Sequence, residues 1–163
     1  MQDFLDGKLL LIDKDLHWTS FDVIKKIKYL LKSKLGIKKI KVGHAGTLDP
    51  LASGLLIVCT GKLTKQIPQI HDQSKVYTGI IELGAVTASY DLESEVEPKA
   101  DPMHLRNEEL QEAAQKLSGK IEQLPPIFSA KKIDGKRAYD LARKGEKPQM
   151  NPKEVNILAF HPT

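Results

Sequence analysis

Between positions 43 and 54 the sequence reads Gly-His-Ala-Gly-Thr-Leu-Asp-Pro-Leu-Ala-Ser-Gly, with three glycines, one histidine and one carboxylate in a single stretch. A carboxylate can attack an electrophilic carbon or move a proton, and it does either well only when its position is fixed. Gly46 can take backbone angles denied to other residues, while Pro50 biases Asp49 towards an extended conformation. The stretch therefore predicts a shaped loop holding Asp49 stiffly. The same residues have a plainer reading, since Asp before Pro is ordinary turn chemistry and a lone histidine such as His44 is more often a structural hydrogen-bonding group than a ligand.

The flanking elements must position that loop. Lys8 to Asp13 is an apolar run of the kind found in buried strands. Thr19-Ser20-Phe21-Asp22 then offers a capping residue with an acid three places on. A helix should follow, because Val23, Ile24, Ile27, Leu30 and Leu31 recur at helical spacing and Gly36 can end it. Leu55 to Thr60 predicts a strand, and Lys62 to Asp72 a short helix interrupted by Pro68. Branched and aromatic residues from Lys75 to Leu83 predict another strand, with Tyr77 near its start. Residues 84–101 are turn-rich and acidic. Asn107 can cap a helix carrying Leu110, Ala113, Ala114 and Leu117, ended by Gly119. Gln123 to Ala130 contains Pro125-Pro126 and reads as an edge or irregular segment, Lys136 to Lys144 as a short basic helix and Val155 to Phe160 as a last strand. Strands and helices mix without regular alternation, so the fold class is α+β with a mixed, largely antiparallel sheet flanked by helices.

The chain has 163 residues, 40% of them hydrophobic, enough for one ordinary domain with a real core. Its single cysteine, Cys59, follows the run Leu55-Leu56-Ile57-Val58 and reads as a small buried hydrophobe. No stretch approaches a membrane span, and the N-terminus lacks a basic segment followed by an apolar one, so no membrane partner and a cytoplasmic location are expected. The net charge of +4 is unevenly spread. Lysines stand at 25, 26, 28, 32, 34, 38, 39 and 41, and no acid occurs between Asp22 and Asp49. Lys131, Lys132, Lys136, Arg137, Arg143, Lys144 and Lys147 form a second basic group, while the stretch from Asp91 to Glu112 is acidic. Such a distribution suits phosphates, although lysine-rich helices are often only solvated faces. The five histidines (17, 44, 71, 104 and 161) show no metal-ligand spacing and no Gly-x-Ser-x-Gly elbow occurs, which disfavours a metal or hydrolase site.

The run GHAGTLDPLASGLL from 43 to 56 resembles the active-site signature of the TruB-type tRNA pseudouridine synthases, in which the aspartate is the essential nucleophile. Lys75-Val76-Tyr77-Thr78-Gly79 resembles that family's Lys-x-Tyr strand. The stretch from Gln123 to Lys132, together with Gly135-x-Arg137-Ala138-Tyr139-x-Leu141-Ala142-Arg143, resembles its Pro-Pro/Ser-Ala segment and thumb-like RNA-clasping loop. Weaker echoes are Trp18-Thr19-Ser20-x-Asp22 and the loop with Gly84, Thr87 and Asp91. Lys14-Asp15-Leu16-His17 departs from the family's Lys-Pro followed by a glycine, which bears on the loop shape there and not on the chemistry.

The resemblance implies residues 1–163 as the N-terminal portion of a catalytic domain of pseudouridine synthase fold, with about 123–150 as the thumb-like RNA-binding segment. Family members continue with a strand bearing an arginine that pairs with the catalytic aspartate, then the rest of the sheet and usually a PUA-type module. The implied activity is cofactor-free isomerisation of a uridine in the T arm of tRNA, at position 55, with the T stem-loop as partner and no protein partner evident. Asp49 would attack C6 of the base or the anomeric carbon; Tyr77 would stack on the base and could take part in proton transfer. His44 would contact the flipped base or a flanking phosphate, Gly46 and Thr47 would take part in substrate binding, and Lys65, Lys131, Lys132, Arg137 and Arg143 would lie on the RNA backbone. Read from its residues alone, Tyr77 is a core tyrosine on a half-buried strand. The competing expectation is a catalytically incompetent RNA-binding fragment.

Overall fold

The computed structural model describes residues 1–126 and 150–163, together with the backbone of 132–133 and 136–137. Two compact units result, Met1–Gly79 and Ile80–Thr163.

In the first unit a short helix, α1 (Gln2–Asp6), precedes strand β1 (Leu9–Lys14). Helix α2 (Ser20–Leu35) starts as the sequence dictates. The Thr19 side chain accepts a hydrogen bond from the Asp22 N–H while the Asp22 carboxylate accepts from the Thr19 N–H, so two otherwise orphan donors are satisfied. At the other end Gly36 takes the left-handed conformation with φ 65°, and its N–H returns to the last turn. Strands β2 (Val42–His44) and β3 (Gly54–Thr60) follow, so the expected loop 43–54 gives up Gly43 and His44 to β2 and Gly54 to β3.

The three strands form one antiparallel sheet in the order β1-β3-β2, with Leu11 opposite Ile57 and Gly43 opposite Cys59. Val23 and Ile24 of α2 pack on Leu56 and Val58 of the central strand, with Leu10, Ile12, Ile27, Val42 and Leu48 around them. Cys59 is fully buried, and burial pushes its thiol pKa up, as befits an inert core residue. A 3-10 turn (Gly61–Gln66) then leads into α3 (Ile67–His71). Pro68 sits in the first turn of α3, where its missing N–H costs nothing, and so begins that helix after the break.

The strand expected over Lys75 to Leu83 does not form. A strand needs a hydrogen-bonded neighbour, and no described residue pairs with this segment. The Lys75 ammonium instead donates to the carbonyls of His71 and Gln73, tying off the end of α3. Beyond it Val76 is 94% and Tyr77 74% exposed.

The second unit contains a two-residue pairing of β4 (Ala85–Val86) with β5 (Glu97–Pro98), then helix α4 (Asn107–Lys116). Arg106, not Asn107, is the cap of α4, its N–H donating to the Glu109 carboxylate at 2.9 Å. The helix stops at Lys116, and Gly119, at φ 85°, opens the next strand instead of ending the helix. That strand, β6 (Gly119–Gln123), pairs antiparallel with the C-terminal strand Lys153–Ile157, Ile121 facing Val155. The intervening β7 (Lys132–Ile133) and β8 (Lys136–Arg137) pair antiparallel. The basic helix expected over Lys136–Lys144 is thus replaced at its first two residues by a strand, and its remainder lies outside the described residues. The C-terminal strand, β9, begins two residues earlier than expected. The class is α+β, and every described strand pairing is antiparallel. Among the described residues no helix is long and apolar enough to cross a membrane.

Candidate active site

Asp49 lies on the connection between β2 and β3, and the residues on either side of it are tethered by a different part of the chain. On the N-terminal side Leu48 turns its side chain into the core of the first unit. Its backbone is gripped by the buried hydroxyl of Ser20, which accepts from the Leu48 N–H at 2.9 Å and donates to the Leu48 carbonyl at 3.1 Å. A hydroxyl can do both at once because it carries one proton and two lone pairs.

On the C-terminal side the His17 N–H donates to the Pro50 carbonyl at 2.7 Å. His17 reaches it from a left-handed conformation, φ 66°. A non-glycine residue there is strained, so the surrounding structure must hold it. Lys14 contributes to that hold: its ammonium, fully buried at the end of β1, donates to the carbonyls of Asp15 at 3.0 Å and Trp18 at 2.7 Å and ties the 15–18 turn down. The Asp49 carbonyl in turn accepts from the Ala52 N–H at 3.0 Å.

The backbone around position 49 is therefore fixed from both sides, while the side chain is exposed. Among the described residues the Asp49 carboxylate has no hydrogen bond or ion pair, so neither burial nor turn capping occupies it. It stands as an available nucleophile or base.

Gly46, at φ 119°, makes the bend between His44 and Asp49, and a side chain there would meet open space, so the requirement is one of backbone angle alone. His44 is half-buried on β2 opposite Val58, and its Nδ1 bonds the Gly46 carbonyl across the bend. The carbonyl can only accept, so Nδ1 carries the proton, and in the neutral ring Nε2 remains an acceptor. Thr47 is exposed beside it. Lys65 is exposed on the 3-10 turn, with no carboxylate partner among the described residues.

The structure thus places Gly46, Thr47 and Asp49 on one loop, with His44 at the end of β2 that leads into it. Tyr77 lies on the exposed extended segment and shares no hydrogen bond or ring contact with that loop among the described residues. The side chains of Lys131, Lys132, Arg137 and Arg143 lie outside the described residues. Ser20, His17 and Lys14 were not singled out as site residues by the sequence. Ser20 was visible as part of a helix start and of a weak echo of the family, and no local pattern announces a hydrogen bond to a residue 28 positions away. Among the described residues no cluster of His, Cys, Asp and Glu could hold a metal ion.

Residues 32–163 match the profile of the TruB family pseudouridylate synthase (N terminal domain). Among curated proteins, the chain is similar to the tRNA pseudouridine synthase B of Phocaeicola vulgatus, with 53% identity over 155 residues that make up 95% of this chain and 66% of that protein. It is 49% identical to the protein of the same name from Parabacteroides distasonis, over 95% of this chain and 66% of the relative. With that of Flavobacterium johnsoniae it shares 48% identity over 99% of this chain and 71% of the relative. The chain spans about two thirds of the length of these relatives. A match over most of its length, carrying the Asp49 loop within it, places the chain in the TruB family of pseudouridylate synthases, as a bearer of that family's N-terminal domain.

Proposed function

We propose that the chain carries the nucleophile of an enzyme that isomerises uridine to pseudouridine in the T arm of tRNA, at position 55, without a cofactor. The observation that supports this above others is an exposed, unpartnered Asp49 carboxylate whose neighbours Leu48 and Pro50 are both tied down by segment 14–20. The reaction breaks the bond from N1 of the base to the ribose, turns the base and rejoins it through C5. It needs a group that captures an intermediate at C6 or at the anomeric carbon, and a fixed carboxylate can do this with no redox change.

The uridine must leave its stack to reach Asp49, at a cost of a few kcal/mol, which stacking and phosphate contacts offset. Tyr77, whose ring is free of the core, supplies the stacking face and a hydroxyl for proton transfer. His44 Nε2 accepts a hydrogen bond from the extruded nucleotide, and the Gly46–Thr47 backbone borders it. Lys65 and the basic segment with Lys131, Lys132, Arg137 and Arg143 hold the RNA backbone without reading its sequence. The location is the cytoplasm, where tRNA is matured.

Asp49→Asn in the intact protein should abolish tritium release from 5-tritiated uridine in a tRNA transcript while leaving tRNA affinity within about twofold, since the isosteric amide keeps the loop and loses only the nucleophile. Turnover retained by that variant removes the assignment. A second reading, favoured by the span of about two thirds of the relatives' length, is that the 163-residue chain alone binds RNA without turning it over. The same assay on the 163-residue chain alone separates the two.

A further inference from the structure

Most of α2's outward surface is lysine, and a solvated lysine face needs no explanation. The exposed aromatics do. The core-facing side of α2 is made by Ser20, Val23, Ile24 and Leu31, all buried. Phe21 and Tyr29 lie away from it, 60% and 63% exposed, where large apolar rings add nothing to the core.

At 3.6 residues per turn, Phe21, Lys25, Lys28, Tyr29 and Lys32 fall within an arc of about 100°, whereas Lys26 and Lys34 lie outside it. The stripe is thus two aromatic rings interleaved with three lysines. The Lys25 ammonium sits 4.6 Å from the centroid of the Phe21 ring and 3.2 Å from Asp22, so the first lysine orders the first ring. Lys28 and Lys32 are exposed and, among the described residues, have no carboxylate partner; neither do Lys26, Lys34, Lys38, Lys39 and Lys41. No acid follows Asp22 until Asp49, so the stripe's charge goes uncompensated along the chain as well.

The stripe also has a starting point. Phe21 adjoins Ser20, whose hydroxyl holds Leu48, the residue before Asp49. From Phe21 to Lys32 the helix rises about 16 Å, the reach of a few nucleotides of backbone.

We infer that this stripe of α2 is a second RNA-contact surface, on which the phosphodiester backbone leading away from the nucleotide at Asp49 lies against Lys28 and Lys32 while Phe21 and Tyr29 pack on its sugars and bases. It rests on the proposed RNA-modifying role and extends the contact beyond the catalytic loop and the 123–150 segment. Lysines supply charge without geometric demand, and exposed rings supply stacking that tolerates any base, a combination suited to backbone binding.

The test is fluorescence anisotropy of an unmodified tRNA transcript with the full chain across 50–200 mM salt. Lys28→Glu/Lys32→Glu should weaken binding at least about tenfold and flatten the salt dependence by about 1.5 logarithmic units, because two phosphates are no longer neutralised. Lys26→Glu/Lys34→Glu makes the same charge change off the stripe and should cost less than about threefold. Phe21→Ala/Tyr29→Ala should weaken binding several-fold with the salt slope unchanged, because stacking releases no counterions. Lys28→Arg/Lys32→Arg should bind as the parent does, and far-ultraviolet circular dichroism should show α2 intact in every variant.

Equal losses from the two glutamate pairs would reduce the effect to net charge and overturn the inference. Unchanged RNA affinity in the stripe variants would leave the stripe to a protein partner and overturn it as well. These outcomes are separate from the fate of Asp49: stripe-dependent binding with turnover retained in Asp49→Asn sinks the catalytic reading alone, and the reverse pattern sinks this one alone.

Discussion

Around Asp49 the energetic detail sits in the residues of segment 14–20 that hold its loop. Ser20 holds both polar groups of Leu48, so Ser20→Ala leaves a partly buried N–H without its acceptor, at a cost of about 1–3 kcal/mol. The variant should unfold at lower urea and, under the proposed activity, lose kcat more than tRNA affinity, because the carboxylate is still present and no longer held. Equal kcat in variant and parent would mean that the loop keeps its shape without Ser20. His17 offers the opposite case. It carries φ 66° with a β-carbon, a conformation that costs an L-residue about 1–2 kcal/mol, part of which glycine returns through its more flexible unfolded chain. His17→Gly should therefore raise stability by about 0.5 kcal/mol, where His17→Ala should not, and a melting curve of each decides it.

At the scale of elements, α2 is the part most open to a reading from sequence, and its start makes a pH prediction. Hydrogen bonds from the Thr19 side chain, then from Lys25 and the Thr19 backbone, hold the Asp22 carboxyl below its ordinary pKa. A carboxylate with a depressed folded pKa stabilises the fold above the unfolded value, about 4, and that contribution disappears as pH falls through the lower folded value. Between pH 5 and pH 2 the parent should lose more stability than Asp22→Asn, which has no charge to lose there; parallel curves would deny the box its role.

Thr19, Asp22 and Gly36 were legible because a cap is a local pattern, and the Asp49 loop was legible because glycine and proline fix backbone angles within a few residues. The Lys75–Leu83 strand was misread for the complementary reason: branched residues state a preference for extended backbone, but a strand exists only with a neighbour, and none of the described residues provides one. The β6 strand was missed because Lys-Ile-Glu-Gln offers a single inward-facing apolar residue, Ile121, and its partner β9 lies thirty positions on. The clamp on Asp49 stayed invisible because its bonds join residues far apart in sequence.

For the molecule as a whole, the segment from Ser74 to Leu83 is the exposed feature that solution work can reach. It straddles the boundary between the two compact units at Gly79, has neither helix nor strand, and exposes Val76, Tyr77, Ile80 and Ile81 together. A protease must draw several residues into an extended conformation, so it selects backbone without structural hydrogen bonds over accessible side chains as such. The side chains of Phe21 and Tyr29 are exposed to chymotrypsin, but their backbone is locked in α2. Tyr90 is 80% exposed, yet its turn is stitched by bonds among Ser89, Asp91 and Ser94. Among the described residues, limited chymotrypsin should therefore cut first after Tyr77, releasing a fragment of residues 1–77 that retains the clamped Asp49 loop. Addition of saturating tRNA should slow that cut if Tyr77 stacks on the extruded base, and should leave it untouched if the tyrosine plays no part in binding. Cleavage at Tyr77 no faster than at Tyr29 would show that the segment is covered in solution, and its apolar residues would then have to be read as packed.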